Sequence, residues 1–138
     1  MLVLDTDHLV EIGRGSAVGA ALLERLQRST EEVVPTIISA EEQLKGWLAQ
    51  INRTRDPHRQ VNAYARLQRR ITFFASWRLL PFDEGAADRF RELRRTGVRV
   101  ATMDLKIACI TMSNEATLLS RNIKDFRQVP GLKIDDWL

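Results

Sequence analysis

Met1-Leu2-Val3-Leu4-Asp5-Thr6-Asp7 and Val33-Val34-Pro35-Thr36-Ile37-Ile38-Ser39 share one plan: a short apolar run that stops at polar residues. Runs of this kind, Met1 to Leu4 and Val33 to Ile38, read as strands buried on both faces. Between them Ala17 to Leu26 carries Val18, Ala21, Leu22, Leu23 and Leu26 at helical spacing, with Glu24 and Arg25 on the other side, which makes it a crossover helix. Further on, the pattern predicts helices from Ser39 to about Gln50 and from Arg59 to about Ala75. The second places Val61, Tyr64, Leu67, Ile71 and Phe74 on one face and Arg59, Arg66, Arg69 and Arg70 off it. A short strand, Leu79 to Phe82, precedes a helix from Glu84 to Arg95 that Gly97 is placed to end. Leu105 to about Ser113 reads as a helix and Ala116 to Leu119 as a strand. Short apolar strands alternating with amphipathic helices predict the α/β class: a central, mainly parallel sheet flanked by helices on both faces.

With 138 residues, 44% of them hydrophobic, and no repeat, linker or low-complexity tract, residues 1–138 read as one domain. The apolar run at Met1 to Leu4 is too short for a signal-peptide core or a membrane span, so the expected location is the cytoplasm with no membrane partner. The lone Cys109, within Ile107-Ala108-Cys109-Ile110, excludes an internal disulfide and reads as a small core residue. The net charge is +3, and most of the 21 basic residues are Arg, which suits a polyanion partner as well as a solvated helix face.

In parallel sheets the active site lies beyond the carboxyl ends of the strands, and acidic residues gather there. Asp5 and Asp7 end the first strand, Glu41 and Glu42 follow the second, Asp104 opens a helix, and Asn122 with Asp125 follows the strand that ends at Leu119. Carboxylates converging within about 4–6 Å repel by roughly 1–4 kcal/mol per pair, so such a cluster calls for protonation or a bound cation. Oxygen ligands without Cys or paired His favour Mg²⁺ or Mn²⁺ over zinc. Each residue also has a local reading. Asp7 and Asp104 suit helix N-caps, Asp5 an exposed strand end, and Ser39 with Glu42 fits a Ser-x-x-Glu capping box, while Glu41 lies one helical step from Glu42 and reads as solvated.

Taken in order, Leu4-Asp5-Thr6-Asp7, Glu42-Gln43-Leu44-Lys45-Gly46, Asp104-Leu105-Lys106-Ile107-Ala108 and Ser120-Arg121-Asn122-Ile123-Lys124-Asp125-Phe126, closing with Pro130-Gly131-Leu132 and Trp137, resemble the PIN-domain ribonucleases of the VapC toxin type. The resemblance spans the whole chain. It implies a PIN fold and a metal site of Asp5, Glu42 and Asp104, with Asp125 or Asn122 as the fourth corner and the Thr6 and Ser120 hydroxyls nearby. It also implies an endoribonuclease that hydrolyses RNA phosphodiesters with a metal-activated water, leaving 5′-phosphate and 3′-hydroxyl ends. Such a toxin is restrained by a cognate antitoxin and is commonly a homodimer. Three positions depart from the pattern: Asp7 stands where the family usually has Asn, Ser120 replaces Thr, and no Gly occurs in Ser113-Asn114-Glu115-Ala116.

Other chemistries find less support. His8 and His58 are the only histidines, no nucleophile motif accompanies them, and there is no G-x-G-x-x-G or P-loop pattern. A strand ending in Asp5-Thr6-Asp7 also resembles haloacid-dehalogenase-like phosphatases, with Asp5 as nucleophile, but only Asp135-Asp136 imitates a later station of that family. A PIN module that binds RNA or protein without catalysis is the alternative from a different class, and metal binding separates it from the enzyme. Trp47, Trp77 and Trp137 read as core or interface anchors, Trp47 being the candidate for partner contact. Arg53, Arg55, Arg59, Arg66, Arg69, Arg70, Arg94, Arg95 and Arg99 could track an RNA backbone where they face the acidic site.

Overall fold

The computed structural model describes residues 1–138. Strands β1 (Leu2–Leu4), β2 (Val33–Pro35), β3 (Thr117–Leu119) and β4 (Lys133–Asp135) form one sheet in the order β2-β1-β3-β4, and every pairing is parallel. Val3 lies opposite Val34 and Leu118, and Leu118 lies opposite Ile134. Side chains alternate along a strand, so Val3, Val34 and Leu118 enter one core while Leu2, Leu4 and Leu119 enter a second. The second core is closed by Leu9 of α1 (Thr6–Arg14) and by Leu22 and Leu26 of α2 (Ala17–Arg28). Thr36 caps α3 (Ile37–Asn52), which packs on α4 (Pro57–Ala75). The first core is filled by α6 (Thr102–Ser113), which carries a continuous buried run from Ile107 to Thr111 and lies against α5 (Glu84–Arg95). A short α7 (Ile123–Phe126) follows β3. The α/β class and the helices on both faces of a parallel sheet are as expected.

Several local expectations are corrected. β2 stops at Pro35 because Thr36 turns out of the strand, and its Oγ1 accepts from Ser39 N at 3.1 Å. The capping box at Ser39 and Glu42 therefore does not form, and Glu42 sits inside the helix with no capping duty. Leu79 to Phe82 contributes one parallel bridge, Leu80 to Thr36, and not a strand. α6 starts at Thr102 with Ala101 at its cap position, so Asp104 lies in the first turn instead of capping it. Gly97, at φ 91°, follows α5 as anticipated, in a conformation that glycine adopts without steric cost. α1, α7 and β4 have no counterpart in the sequence reading.

The face of α4 is the largest correction. Val61, Tyr64 and Ile71 are 65%, 55% and 51% exposed. The packed side runs one residue step earlier, about 100° around the axis, through Gln60, Ala63, half-buried Arg70 and buried Phe74. Gln60 determines that rotation at the near end, because its side-chain amide donates to the Ile51 and Thr54 carbonyls at 3.2 and 2.9 Å and ties the two helices together. Small Ala63 follows on the same side.

Candidate active site

The chain runs from β1 outward to β2 on one side and from β3 outward to β4 on the other, so the topological switch point lies between β1 and β3. Clefts form at such points beyond the strand ends. Here Asp5, immediately after β1, is buried and bridges the seam: its carboxylate accepts from Ser120 Oγ at 2.6 Å and, as N-cap of α1, from Thr6 N at 2.7 Å. Its backbone N–H donates to Leu119 O at 3.0 Å. Ser120 Oγ in turn accepts from Asn122 N at 3.0 Å, which orients the start of α7. α3 brings Glu42 to the same corner, α6 brings Asp104 and α7 brings Asp125.

The carboxylates feel one another. Burial, with repulsion from Asp7 and Asp104, lifts the Asp5 pKa to about 6 despite the hydrogen bonds from Ser120 and Thr6. Burial and repulsion from Asp5 and Asp104 lift Glu42 to about 7. Asp104 is raised by burial and by its neighbours Asp125 and Asp7. Thr6 is near enough to Glu42 to offset part of that shift, yet Thr6 Oγ1 and Glu42 Oε1 are both buried without a hydrogen-bond partner in normal geometry. Unsatisfied buried oxygens are unusual, and two of them beside mutually repelling carboxylates suit a hard cation. As they stand, no three His, Cys, Asp or Glu side chains come close enough together to hold a metal ion between them. That is compatible with an ion such as Mg²⁺, which retains waters and takes one or two carboxylates.

Two residues have roles that the sequence did not show. Asp7 keeps a pKa below the ordinary value although burial opposes it, because the His8 ring and the Arg121 backbone N–H donate to its carboxylate. Those contacts are 2.6 Å from His8 Nδ1 and 2.8 Å from Arg121 N. Asp7 thus clamps α1 to the loop after β3 and adds no free ligand. His8, fully buried, accepts from Trp137 N at Nε2 (3.3 Å), so a ring carrying its proton on Nδ1 satisfies both partners and ties in the last residues of the chain. Asn122 Nδ2 reaches Asp104 Oδ2 at 3.5 Å. Glu41 is exposed, and Cys109 is fully buried in the first core with its thiol pushed up to about 11 by burial.

A cleft of about 560 Å³ opens from Thr6 and Glu42 between α1, α3 and α4. Of the arginines singled out above, Arg66 and Arg70 line it, and Arg69 lines its extension. Arg53, Arg55, Arg59, Arg94, Arg95 and Arg99 do not. Arg14, which the sequence reading passed over, lines it as well. Trp47 forms part of the wall under the Arg66 guanidinium, 5.2 Å from its ring centre.

Fold and site together define a parallel α/β domain with an acidic pocket at its switch point. The sequence matches the PIN domain family over residues 2–132, and the chain belongs to that family. Among curated proteins it is 37% identical over 46 residues to Ribonuclease VapC2 of Rickettsia felis; the match spans 33% of this chain and about a third (34%) of the length of that relative. Among solved structures it is similar to VapBC2 from Rickettsia felis bound to a promoter DNA fragment, with TM-score 0.72 and 20% identity over 99% of this chain and 98% of the other. A toxin-antitoxin complex from Klebsiella pneumoniae matches with TM-score 0.70 and 18% identity over 100% and 98%. At such identities the structural likeness speaks for the fold, and PIN membership sets aside the dehalogenase-like phosphatase. The Asp135-Asp136 pair that imitated it engages the chain end: Asp135 accepts from Trp137 Nε1, and Asp136 from Leu138 N. No helix is long and apolar enough to cross a membrane.

Proposed function

We propose that this chain is a metal-dependent endoribonuclease, the toxin of a toxin-antitoxin pair, that hydrolyses RNA phosphodiesters. The observation that carries the reading is the gathering of Asp5, Glu42 and Asp104 at the switch point, each raised by burial and by its neighbours' charge. Mg²⁺ or Mn²⁺ would be held by one or two of the Asp5, Glu42 and Asp104 carboxylates directly and by the others through retained water, with Asp125 as the fourth corner and Asn122 positioning Asp104. When bound, such an ion supplies a Lewis acid that acidifies water and neutralises phosphate charge. Ser120 and the α1 N-terminus fix the Asp5 carboxylate, and the Asp7 clamp holds the β3–α7 loop against it. Glu42, with one oxygen unsatisfied beside the Thr6 hydroxyl, offers that oxygen to the cation or to a water in its shell. With water as the nucleophile and the 3′ oxygen as the leaving group, the fragments carry 5′-phosphate and 3′-hydroxyl ends and no cyclic phosphate forms.

The reading brings with it a cytoplasmic location, a cognate antitoxin and a homodimer. Relatives that are toxin-antitoxin complexes support the antitoxin, and exposed Val61, Tyr64 and Ile71 offer apolar surface that a second chain could cover. The test is cleavage of a mixed RNA pool with Mg²⁺, Mn²⁺ or chelator, beside folded Asp5→Asn and Asp104→Asn variants. Metal-dependent cutting lost in both variants is the expected outcome. Cyclic-phosphate ends, or full activity in Asp104→Asn, would overturn it; absence of both cutting and metal binding would favour the non-catalytic module.

A further inference from the structure

Arg70 is a half-buried cation whose guanidinium meets no acceptor. Its Nε and Nη2 are buried and have no hydrogen-bond partner, and it takes part in none of the ion pairs of the structure. A desolvated guanidinium is costly unless an anion meets it. The head is nonetheless fixed in place. It lies 4.4 Å from the Phe73 ring centre and 5.6 Å from that of Phe74. On the other side Gly13 leaves the space it occupies, since a Cβ there would stand 2.2 Å from Arg70 Nη1.

Arg70 lines the cleft that opens beside Thr6 and Glu42, and Arg14 and Arg66 line the same walls. Beyond them the groove continues into a second hollow of about 1050 Å³ that includes Arg69. On the ribonuclease reading above, we infer that this cleft is a phosphate-binding subsite that holds the RNA backbone next to the scissile bond, with the Arg70 guanidinium as its anchor. A planar guanidinium can meet a phosphate with two parallel hydrogen bonds, and since Nε and Nη2 have no exposed surface here, a small turn of the head toward the cleft has to bring them out. Four guanidiniums spaced along one continuous groove suit a polymer that carries one charge per nucleotide better than a single carboxylate. Since Thr6 and Glu42 form the near wall, a strand cut at the acidic corner enters this groove directly.

The experiment measures binding of a short, fluorescein-labelled, mixed-sequence single-stranded RNA to the full chain carrying Asp104→Asn, across a range of salt. Adding Arg70→Gln is expected to weaken binding about tenfold and to flatten the plot of log K against log salt by about 0.7, the increment of one phosphate contact. Gly13→Ala keeps the charge but displaces the head, and is expected to weaken binding about threefold while leaving the protein folded even if Arg70→Gln does not. Arg95→Gln, a charge control on α5 paired with Glu92, changes binding less than about twofold. If RNA is bound and the Asp104 protein cuts it, but Arg70→Gln and Gly13→Ala match Arg95→Gln, the subsite is overturned and the nuclease stands. If RNA is neither bound nor cut, both readings fall. If Arg70→Gln abolishes binding of a poly-glutamate peptide and leaves RNA binding intact, the cleft is a protein docking site and the inference is wrong.

Discussion

The acidic corner at the ends of β1 and β3 and the basic cleft between α1, α3 and α4 share Thr6 and Glu42 as a common wall, yet they are held in different ways. The corner is fixed by hydrogen bonds to the sheet: Asp5 to Ser120, Asp7 to Arg121, and the Asp5 backbone to Leu119. The cleft is fixed by packing, with Arg70 against two phenylalanine rings and against the bare backbone of Gly13. Hydrogen bonds to a rigid sheet position a group within tenths of an ångström, as chemistry on a phosphodiester requires. A guanidinium on a two-helix arm has looser tolerances, as a strand of varied sequence requires. Each region keeps half-buried charge of one sign with polar atoms unsatisfied, Thr6 Oγ1 and Glu42 Oε1 at the corner and Arg70 Nε and Nη2 in the cleft.

The largest expected effect falls on the corner. Asp104→Asn should lower kcat by about 10³-fold, some 4 kcal/mol of transition-state stabilisation, whereas Arg70→Gln should act mainly on KM; steady-state cleavage kinetics separate the two, and equal kcat losses would erase the distinction between the regions. Next, millimolar Mg²⁺ should raise the melting temperature of the wild type at pH 8, by about 2–3 kcal/mol of stability if the ion is a hundredfold above its Kd. An Asp5→Asn/Asp104→Asn double variant should show no such shift in differential scanning fluorimetry.

A smaller effect concerns pH. Asp5 and Glu42 have folded pKa values of about 6 and 7, above their ordinary 3.8 and 4.5, so the folded chain holds protons more tightly than the unfolded one. Their contribution is fully present below about pH 4 and is lost as pH rises through 6 to 7. Without metal, Asp5→Asn should therefore be more stable than the wild type by about 1–2 kcal/mol at pH 8, with the gap narrowing to about half by pH 5 and closing below about pH 4. A constant gap across that range in melting experiments would mean that the carboxylate is not penalised. The smallest expected change is Ser120→Ala, which removes one orienting hydrogen bond and should cost about 1 kcal/mol of stability and a larger share of kcat, read by melting and by cleavage; loss of stability alone would make Ser120 a strand anchor only.

Much of this layout was legible before any coordinates. The acidic stations stood at the ends of the right apolar runs, since a strand that must cross a core is continuously apolar and the first polar residue marks its exit. Edge strand β4 was missed because it offers only Ile134 to the core between exposed Lys133 and Asp135. α1 was missed because it follows β1 with Asp5 alone between them, and Asp5 caps it. The register of α4 was misread because its apolar residues spread over two adjacent sides and only contact with α3 chooses between them.

By itself the sequence determined the class of fold, the carboxylates at the strand ends and the family, because these depend on local periodicity and on the order of residue types along the chain. The tertiary structure alone decided that Asp7 is a clamp, that Glu42 is free of capping duty, and that Arg70, of all the arginines weighed, keeps buried guanidinium nitrogens without an acceptor in the cleft beside the acidic corner. Those outcomes rest on contacts between residues far apart in the chain, such as Asp5 with Ser120 across a separation of 115 residues. No pattern within one helix or strand encodes such a contact; it exists only once the sheet has brought β1 and β3 side by side.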